Sequence, residues 1–246
     1  MVDPNWKAFF PINSQSSDSD KLFILKAREI VKRIKPSYTY LEIGSFLGGS
    51  LTPFLLDEQC SSVFSVDDRG RAQPDERGLK FDYAGITHDT MIQNLNSHGI
   101  KTDKLKTFDG SIDDLSPAPG KFDVAFIDGE HTDLACFRDF LWTEPLLEPD
   151  AILLFHDTTL IYRAINHVLL YMKRSGAPFV FVKNKESEMS AILTGQFSAI
   201  DPSEFGAVED WNSFCALAEK KNLQSIIGNR VKFSFEVGDI RTVPAY

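Results

Sequence analysis

Short apolar segments rich in Val, Ile and Phe alternate along the chain with segments of helical periodicity, and this alternation constrains the fold most. The predicted strands lie at residues 38–43, 63–66, 105–108, 122–127, 151–155, 179–182 and 190–193. Helices are predicted before the first strand and at residues 49–56, 90–98, 134–147 and 160–174. Strands separated by helices form mostly parallel sheets that are covered on both faces. The sequence therefore predicts an α/β fold with a doubly wound, mostly parallel, seven-stranded sheet and helices on both faces.

The chain divides into three parts around this sheet. Residues 21–194 hold the sheet and its helices, and Ser19 or Asp20 is the predicted cap of the first helix. Residues 1–20 are expected to be irregular, with aromatic side chains that either cover a substrate as a lid or pack on the core. Residues 195–246 form a C-terminal appendage, in which a helix at 210–221 and a strand of alternating pattern at 231–237 are predicted. We expect this appendage to cap the site or to contact a second copy of the chain.

The composition excludes several classes of protein. The 246 residues carry a formal net charge of −9 without a long run of Lys or Arg, so nucleic acid or an anionic membrane surface would be repelled. No segment approaches the ~20 apolar residues that cross a bilayer, and the N-terminus lacks the pattern of a signal peptide. The three cysteines have no metal-like spacing and indicate a reducing compartment. We therefore expect a cytoplasmic protein with a small-molecule partner.

Polar or small residues follow most of the predicted parallel strands. They lie at residues 44–50, 67–68, 109–111, 128–131 and 156–157. In Rossmann-like sheets, ligands bind outside the carboxyl ends of the strands, where the strand order reverses. A purely structural sheet has no need of carboxylates and histidines at these positions, so the sequence predicts a ligand site along this edge.

The loop after the first strand has the pattern E-x-G-x-x-x-G-G-S over residues 42–50, which differs from the dinucleotide fingerprint G-x-G-x-x-G. Gly44 can adopt positive φ at little cost and lets the backbone approach a ligand. Asp67 closes the next strand and is placed to accept hydrogen bonds from ribose hydroxyls. Residues 109–111 would then lie by the adenine, so these positions predict a nucleotide-like cofactor.

Residues 40–50 resemble motif I of class I S-adenosylmethionine-dependent methyltransferases, particularly the catechol O-methyltransferase type, and the resemblance extends over roughly residues 38–194. It implies that S-adenosylmethionine binds at the strand ends. The implied cofactor-binding residues are Glu42, Gly44, Ser45, Phe46, Gly48, Ser50, Asp67, Asp68, Asp109, Gly110, Ser111 and Asp128.

In the metal-dependent O-methyltransferases that the chain resembles, the acid at the tip of the fourth strand and two residues after the fifth hold a divalent cation. Here those positions are Asp128, His156 and Asp157, with Mg, Mn or Fe as the candidate metals. The family usually has two oxygen ligands after the fifth strand, whereas imidazole favours iron, manganese, zinc or nickel over magnesium. His156 is therefore expected to bind such a metal, to face the substrate or to support the other ligands. Without a metal, Asp128 would bind the ribose or the methionine amine.

His131, three residues after Asp128, is the predicted general base. Sugar O-methyltransferases of macrolide biosynthesis look similar to this chain and have a histidine at this place. An unperturbed pKa of ~6.5 suits a base that works near neutrality. The alternative is a structural role for His131 as a cap of the following helix.

The resemblance implies an O-methyltransferase that moves a methyl group from S-adenosylmethionine to a hydroxyl of a sugar or secondary metabolite, with metal assistance. One alternative is a related-fold, metal-dependent hydroxylase of the cephalosporin-hydroxylase type, which a His/Asp set with iron would suit. The other is a catalytically idle subunit with an S-adenosylmethionine fold. The acids at 42, 67 and 128, together with His131, favour catalysis over the idle subunit.

Overall fold

The computed structural model describes residues 4–116 and 119–236, with side chains described as far as Asn229. The strands are β1 (Tyr38–Ile43), β2 (Cys60–Asp67), β3 (Ala72–Pro74), β4 (Lys80–Asp82), β5 (Leu105–Asp109), β6 (Phe122–Ile127), β7 (Leu147–Phe155), β8 (Phe179–Lys183) and β9 (Ser190–Thr194). The helices are α1 (Asp18–Ile34), α2 (Thr52–Leu55), α3 (His88–Ser97), α4 (Asp133–Thr143), α5 (Tyr162–Ser175) and α6 (Trp211–Glu236).

Within the described residues, one sheet of seven strands has the order β5-β2-β1-β6-β7-β9-β8. The strands from β5 to β7 in this order run parallel, and β9 is antiparallel to both β7 and β8. The predicted mostly parallel α/β sheet is confirmed. The strand order reverses at β1 and β6, where Ile43 pairs with Ile127. This reversal places the residues after β1 beside those after β6.

Two hydrophobic cores cover the two faces of this sheet. In β1, Tyr40 belongs to the core that includes α1, and its ring stacks on Phe54. Its neighbour Leu41 belongs to the core of α4 and α5 on the opposite face. Every residue of β6 is buried, as expected for a strand that is covered on both sides. The run of apolar residues therefore predicts β6 well, because no face of it meets solvent.

The first helix begins earlier than the sequence suggests. Its N-cap is Ser17, whose hydroxyl accepts a hydrogen bond from the Asp20 N–H, while the Asp20 carboxylate accepts one from the Ser17 N–H. This reciprocal arrangement is a capping box. The prediction of Ser19 or Asp20 as the cap is therefore wrong by at least two residues, although Asp20 takes part in the cap.

Two further features differ from the prediction. The short strands β3 and β4 form a separate hairpin between β2 and α3, which the polar sequence there did not indicate. In the appendage, residues 231–236 continue α6 instead of forming the predicted strand, and Val237 lies outside the described residues. Once a helix has started, each added residue gains a backbone hydrogen bond, and this extension prevails over the alternating pattern. Among the described residues, no helix has the length and apolar character needed to cross a bilayer.

Candidate active site

A cavity with about 840 Å³ of free space lies where the strand order reverses, and it opens to solvent. We call it the strand-end cavity. Its walls come from the segments after β1, β2, β6 and β7 and from residues 13–16 of the N-terminal segment. The predicted site residues that line it are Gly44, Ser45, Phe46, Ser50, Asp67, Asp128, His131, His156 and Asp157. The aromatic residues Trp6, Phe9 and Phe10 instead pack on the core. The part of the N-terminal segment that reaches the site is thus polar.

The loop after β1 fits against the segment after β6 because Gly44 has no side chain. Gly44 has a φ of +88°, and a Cβ atom there would lie 2.0 Å from the carbonyl oxygen of Asp128. Phe46 also has a positive φ, of +46°, which is uncommon for a residue with a side chain. Its backbone N–H donates to the Asp67 carboxylate at 2.6 Å. The backbone of this loop is therefore held in an unusual shape by its neighbours.

Glu42 lies beneath this loop and is fully buried. Its carboxyl group accepts a hydrogen bond from the Tyr40 hydroxyl at 2.6 Å and another from the Ser50 hydroxyl. Burial raises the pKa of Glu42 to about 8, although both of these hydrogen bonds act in the opposite direction. Glu42 is thus not part of the cavity lining that the structure describes, and it anchors Ser50 from below.

Asp67 is paired with a residue that the sequence analysis did not single out. The buried guanidinium of Arg69 lies 3.7 Å from Asp67 and 2.7 Å from Asp109, and it donates to the Ser45 hydroxyl at 2.6 Å. Burial raises the pKa of Asp67, and the positive charge of Arg69 partly opposes this shift. A basic residue two positions after a strand-end acid is the only sequence signal for this role. Arg69 therefore links the ends of β2 and β5 to the β1 loop.

The remaining residues that were predicted to bind the cofactor lie outside the lining of the strand-end cavity. Asp68, Gly110 and Ser111 line a smaller cleft, with about 360 Å³ of free space, on the other side of Gly44 and Asp67. Gly48 packs against α3, where a Cβ atom would lie 3.2 Å from the Leu95 side chain. The predicted cofactor residues thus divide between two neighbouring clefts and their supporting layer.

Four side chains gather at the ends of β6 and β7. The Asp128 Oδ1 atom lies 3.0 Å from the His156 Nδ1 atom and 3.7 Å from the His131 Nε2 atom. The Asp157 Oδ2 atom lies 3.1 Å from His131 Nε2 and 3.4 Å from His156 Nδ1. These four ligand-type atoms all lie within 4.8 Å of one another. We call Asp128, His131, His156 and Asp157 the His/Asp cluster.

The spacing of the His/Asp cluster fits a divalent cation. Two ligands bound at about 2.1 Å lie about 3.0 Å apart at right angles and about 3.4 Å apart in a tetrahedron. Both ring nitrogens of His156 are buried, and neither meets hydrogen-bond geometry with a described group. Asp157 has a φ of +49°, a conformation that side chains rarely adopt and that is found at functional sites. A divalent cation held by Asp128, His156 and Asp157 would give the buried imidazole a partner.

Charge within the His/Asp cluster shifts its pKa values. Burial lowers the pKa of His131, but the nearby carboxylates of Asp128 and Asp157 outweigh this effect, and the net shift is upward. Burial raises the pKa of Asp157, but the close contact with His156 and the charges of His156 and His131 reverse the shift and bring it to about 2. Thr132, not His131, caps α4 by accepting the Ala135 N–H. The side chain of His131 therefore faces the carboxylates.

Comparison with known proteins finds a family match over part of the chain. Residues 41–158 match a family model described as a methyltransferase domain. This segment of the chain is similar to that methyltransferase family. Its resemblance to class I S-adenosylmethionine-dependent methyltransferases, which the sequence indicates at residues 40–50, is thereby confirmed.

Three individual proteins are similar to parts of this chain. The uncharacterized protein R132 of Acanthamoeba polyphaga mimivirus is 27% identical over 107 residues, which cover 43% of this chain and 45% of that protein. The chain thus spans about half the length of this curated relative. The O-methyltransferase NovP is 12% identical with a TM-score of 0.55, over 71% of this chain and 78% of NovP. An O-methyltransferase from Bacillus cereus in complex with SAH is 16% identical with a TM-score of 0.50, over 77% and 87% of the two chains. The two structures share the fold of this chain.

A second cleft, with about 1180 Å³ of free space, adjoins the strand-end cavity. Both share Gln15, Tyr83, His131 and Asp157 in their walls. The β3–β4 hairpin supplies one side of this cleft, and residues 221–225 of α6 supply another. The Asn222 side chain ties α6 to the segment after β7 by donating to the Thr159 carbonyl at 2.9 Å. We call this space the α6 cleft.

Proposed function

We propose that this protein is an S-adenosylmethionine-dependent O-methyltransferase that acts on a hydroxyl group of a small molecule, such as a sugar or a secondary metabolite, with the help of a divalent cation. One observation carries the proposal. The β1 loop and the His/Asp cluster line the same cavity, so a methyl donor and an activated hydroxyl would meet there. The match of residues 41–158 to a methyltransferase family supports it.

The β1 loop and Asp67 are the proposed cofactor site. When bound, S-adenosylmethionine supplies a methyl group that is activated by a sulfonium. The close approach at Gly44 leaves backbone and small side chains along the cavity wall, where a ligand can lie against them. Asp67 is the proposed acceptor for ribose hydroxyls, and the smaller cleft by Gly110 and Ser111 is the proposed place of the adenine.

Asp128, His156 and Asp157 are the proposed ligands of the cation. When bound, such an ion lowers the pKa of an acceptor hydroxyl and orients it. A donor set that includes imidazole favours iron, manganese, zinc or nickel over magnesium, which prefers oxygen ligands. The carboxylates of Asp128 and Asp157 supply the negative charge that holds a divalent ion.

His131 is the proposed general base. His131 lines both the strand-end cavity and the α6 cleft, so its Nε2 atom can take a proton from a hydroxyl that lies where these two spaces meet. The acceptor would then occupy the α6 cleft, and the helix α6 would serve as the cap over the site. The hairpin residues Arg77 and Tyr83 would contact the acceptor from the other side.

The test is transfer of a trideuterated methyl group from labelled S-adenosylmethionine to a panel of sugars, polyols and phenols, followed by mass spectrometry. Reactions contain Mn²⁺, Fe²⁺, Zn²⁺ or Mg²⁺, or a chelator. We expect a labelled methyl ether in at least one reaction and its loss with chelator. Labelled product that forms equally well in chelator would refute the cation's part, and methyl transfer to nitrogen or carbon alone would refute the O-methyl assignment.

A hydroxylase with a related fold is the second candidate, because two imidazoles and two carboxylates also suit non-haem iron. The same preparation distinguishes the two. With Fe²⁺, an organic substrate and a two-electron donor such as a 2-oxo acid, a hydroxylase consumes oxygen in the absence of S-adenosylmethionine, whereas the proposed methyltransferase requires the cofactor and no oxygen.

A further inference from the structure

A buried carboxylate from the first helix lies on the far side of His156. Asp20 is only 3% exposed, and its Oδ2 atom lies 3.4 Å from the His156 Nε2 atom. The other ring nitrogen, Nδ1, faces Asp128 at 3.0 Å. The imidazole therefore lies between Asp20 on one side and the His/Asp cluster on the other. Asp20 precedes the segment that matches the methyltransferase family, which begins at residue 41.

The Asp20 carboxylate is itself held in place by other donors. Its Oδ2 atom accepts from the Ser17 N–H at 2.9 Å and from the Ser17 hydroxyl at 2.6 Å. Its Oδ1 atom accepts from the N–H of Glu188, in the turn before β9, at 2.9 Å. A carboxylate that is fixed from both α1 and this turn cannot follow the ring, so the ring must align with it.

The capping box alone does not explain a carboxylate here. The helix α3 begins with the same reciprocal arrangement, in which Thr87 is the N-cap and Thr90 stands where α1 has Asp20. A threonine hydroxyl is thus sufficient to close such a box in this protein. The negative charge of Asp20, buried against an imidazole, needs a second reason.

We propose that, with a cation in the His/Asp cluster, Asp20 is a positioning residue that accepts a hydrogen bond from the Nε2–H of His156 and so presents Nδ1 as the nitrogen that binds the cation. Histidine ligands in metalloproteins commonly donate their second ring N–H to a carboxylate, which fixes the tautomer and the ring orientation. Loss of such a partner typically weakens metal binding by about 10–100-fold. This proposal rests on the proposed function, because it assumes a cation in the His/Asp cluster.

The test compares binding of Mn²⁺ and Zn²⁺ by calorimetry to the full chain and to three variants. Asp20→Asn keeps the shape of the side chain and removes its charge. Asp20→Thr gives α1 the same type of capping box that α3 has, with a threonine hydroxyl in place of the carboxylate. Thr87→Ala is the matched control, because it removes the N-cap hydroxyl of the corresponding capping box at α3 and leaves Asp20 and its partners unchanged.

We expect both Asp20 variants to bind the metals about 10–100-fold more weakly, with unchanged affinity for S-adenosylmethionine. Thr87→Ala should lower the melting temperature and leave metal affinity within about twofold. Nitrogen-15 NMR of the Zn²⁺-loaded chain should show His156 bound through Nδ1 with a proton on Nε2.

Two results would overturn the proposal, and they are distinguishable. Wild-type metal affinity in Asp20→Thr, or zinc bound to Nε2, refutes the role of Asp20 and leaves the cation site standing. Failure of the wild-type chain to bind either metal refutes the cation in the proposed function, and the role of Asp20 with it.

Discussion

The two sides of the strand-end cavity are held in shape by different interactions. The β1 side is shaped by backbone: Gly44 touches the main chain after β6, and Phe46 donates its N–H to Asp67. The opposite side is shaped by charge, where the His/Asp cluster gathers two imidazoles and two carboxylates. We call the first the backbone-built side and the second the charge-built side. The backbone-built side should be sensitive to added atoms, and the charge-built side to changes of donor and charge.

The largest effect should follow from an added methyl group on the backbone-built side. In Gly44→Ala, the new Cβ atom would lie 2.0 Å from the Asp128 carbonyl oxygen, so the loop or β6 must move. We expect a loss of about 3 kcal/mol or more in unfolding free energy, and no measurable binding of S-adenosylmethionine by calorimetry. Gly99→Ala is the matched control, because Gly99 has a φ of +71° but no atom within 4 Å of its Cβ position. Equal losses in the two variants would remove the close approach as the cause.

On the charge-built side, His131→Ala should lower kcat by about 10²–10⁴-fold, as the loss of a general base does. Affinity for S-adenosylmethionine and for Mn²⁺ should change little if His131 is the base. Steady-state kinetics on the acceptor and calorimetry measure the two quantities. His98→Ala, at an exposed position at the end of α3, is the control. A variant that keeps kcat but loses Mn²⁺ would make His131 a ligand instead.

Glu42 predicts a pH dependence that belongs to the backbone-built side. Its pKa is about 8 in the folded chain against 4.5 for the free group, so the folded state holds a proton that the unfolded state has released between these values. The contribution of Glu42 to the free energy of unfolding is complete below about pH 4.5 and is lost as the pH rises through 8. The total change in this free energy is a few kcal/mol.

Glu42→Gln cannot ionise, so its unfolding free energy should fall less steeply between pH 5 and pH 8 than that of the wild type. Denaturant titrations at both pH values measure the difference, and the other titrating groups cancel between the two proteins. Parallel pH profiles would show that Glu42 is ionised beneath the loop.

The smallest effect concerns the α6 cleft, which adjoins the charge-built side. Lys221 lines this cleft, whereas its exposed neighbour Lys220 is absent from the described lining. Lys221→Ala should raise the KM of the acceptor a few-fold, as expected for an exposed charge worth below ~1 kcal/mol, with kcat unchanged. Lys220→Ala is the control. Equal KM values for the two variants would argue against an acceptor beside α6.

Sequence reasoning succeeded where a local pattern determines structure. The strands β1 and β6 are apolar runs covered on both faces, and the spacing of Asp128 and His131 places both in the segment between β6 and α4. It missed features that depend on distant contacts. Asp20 meets His156 only because α1 packs beside β7, and the exposed β3–β4 hairpin has no apolar pattern to reveal it.

The strand-end cavity and the α6 cleft share four residues in their walls, namely Gln15, Tyr83, His131 and Asp157. Ligands in the two spaces would therefore rest against the same four groups, and neither could bind without altering the surroundings of the other. Thermodynamic linkage then requires that the cofactor change the affinity for the acceptor by the same factor as the acceptor changes the affinity for the cofactor. Such a wall makes the two binding equilibria a single coupled system, in which the affinity for either ligand is defined only when the concentration of the other is stated.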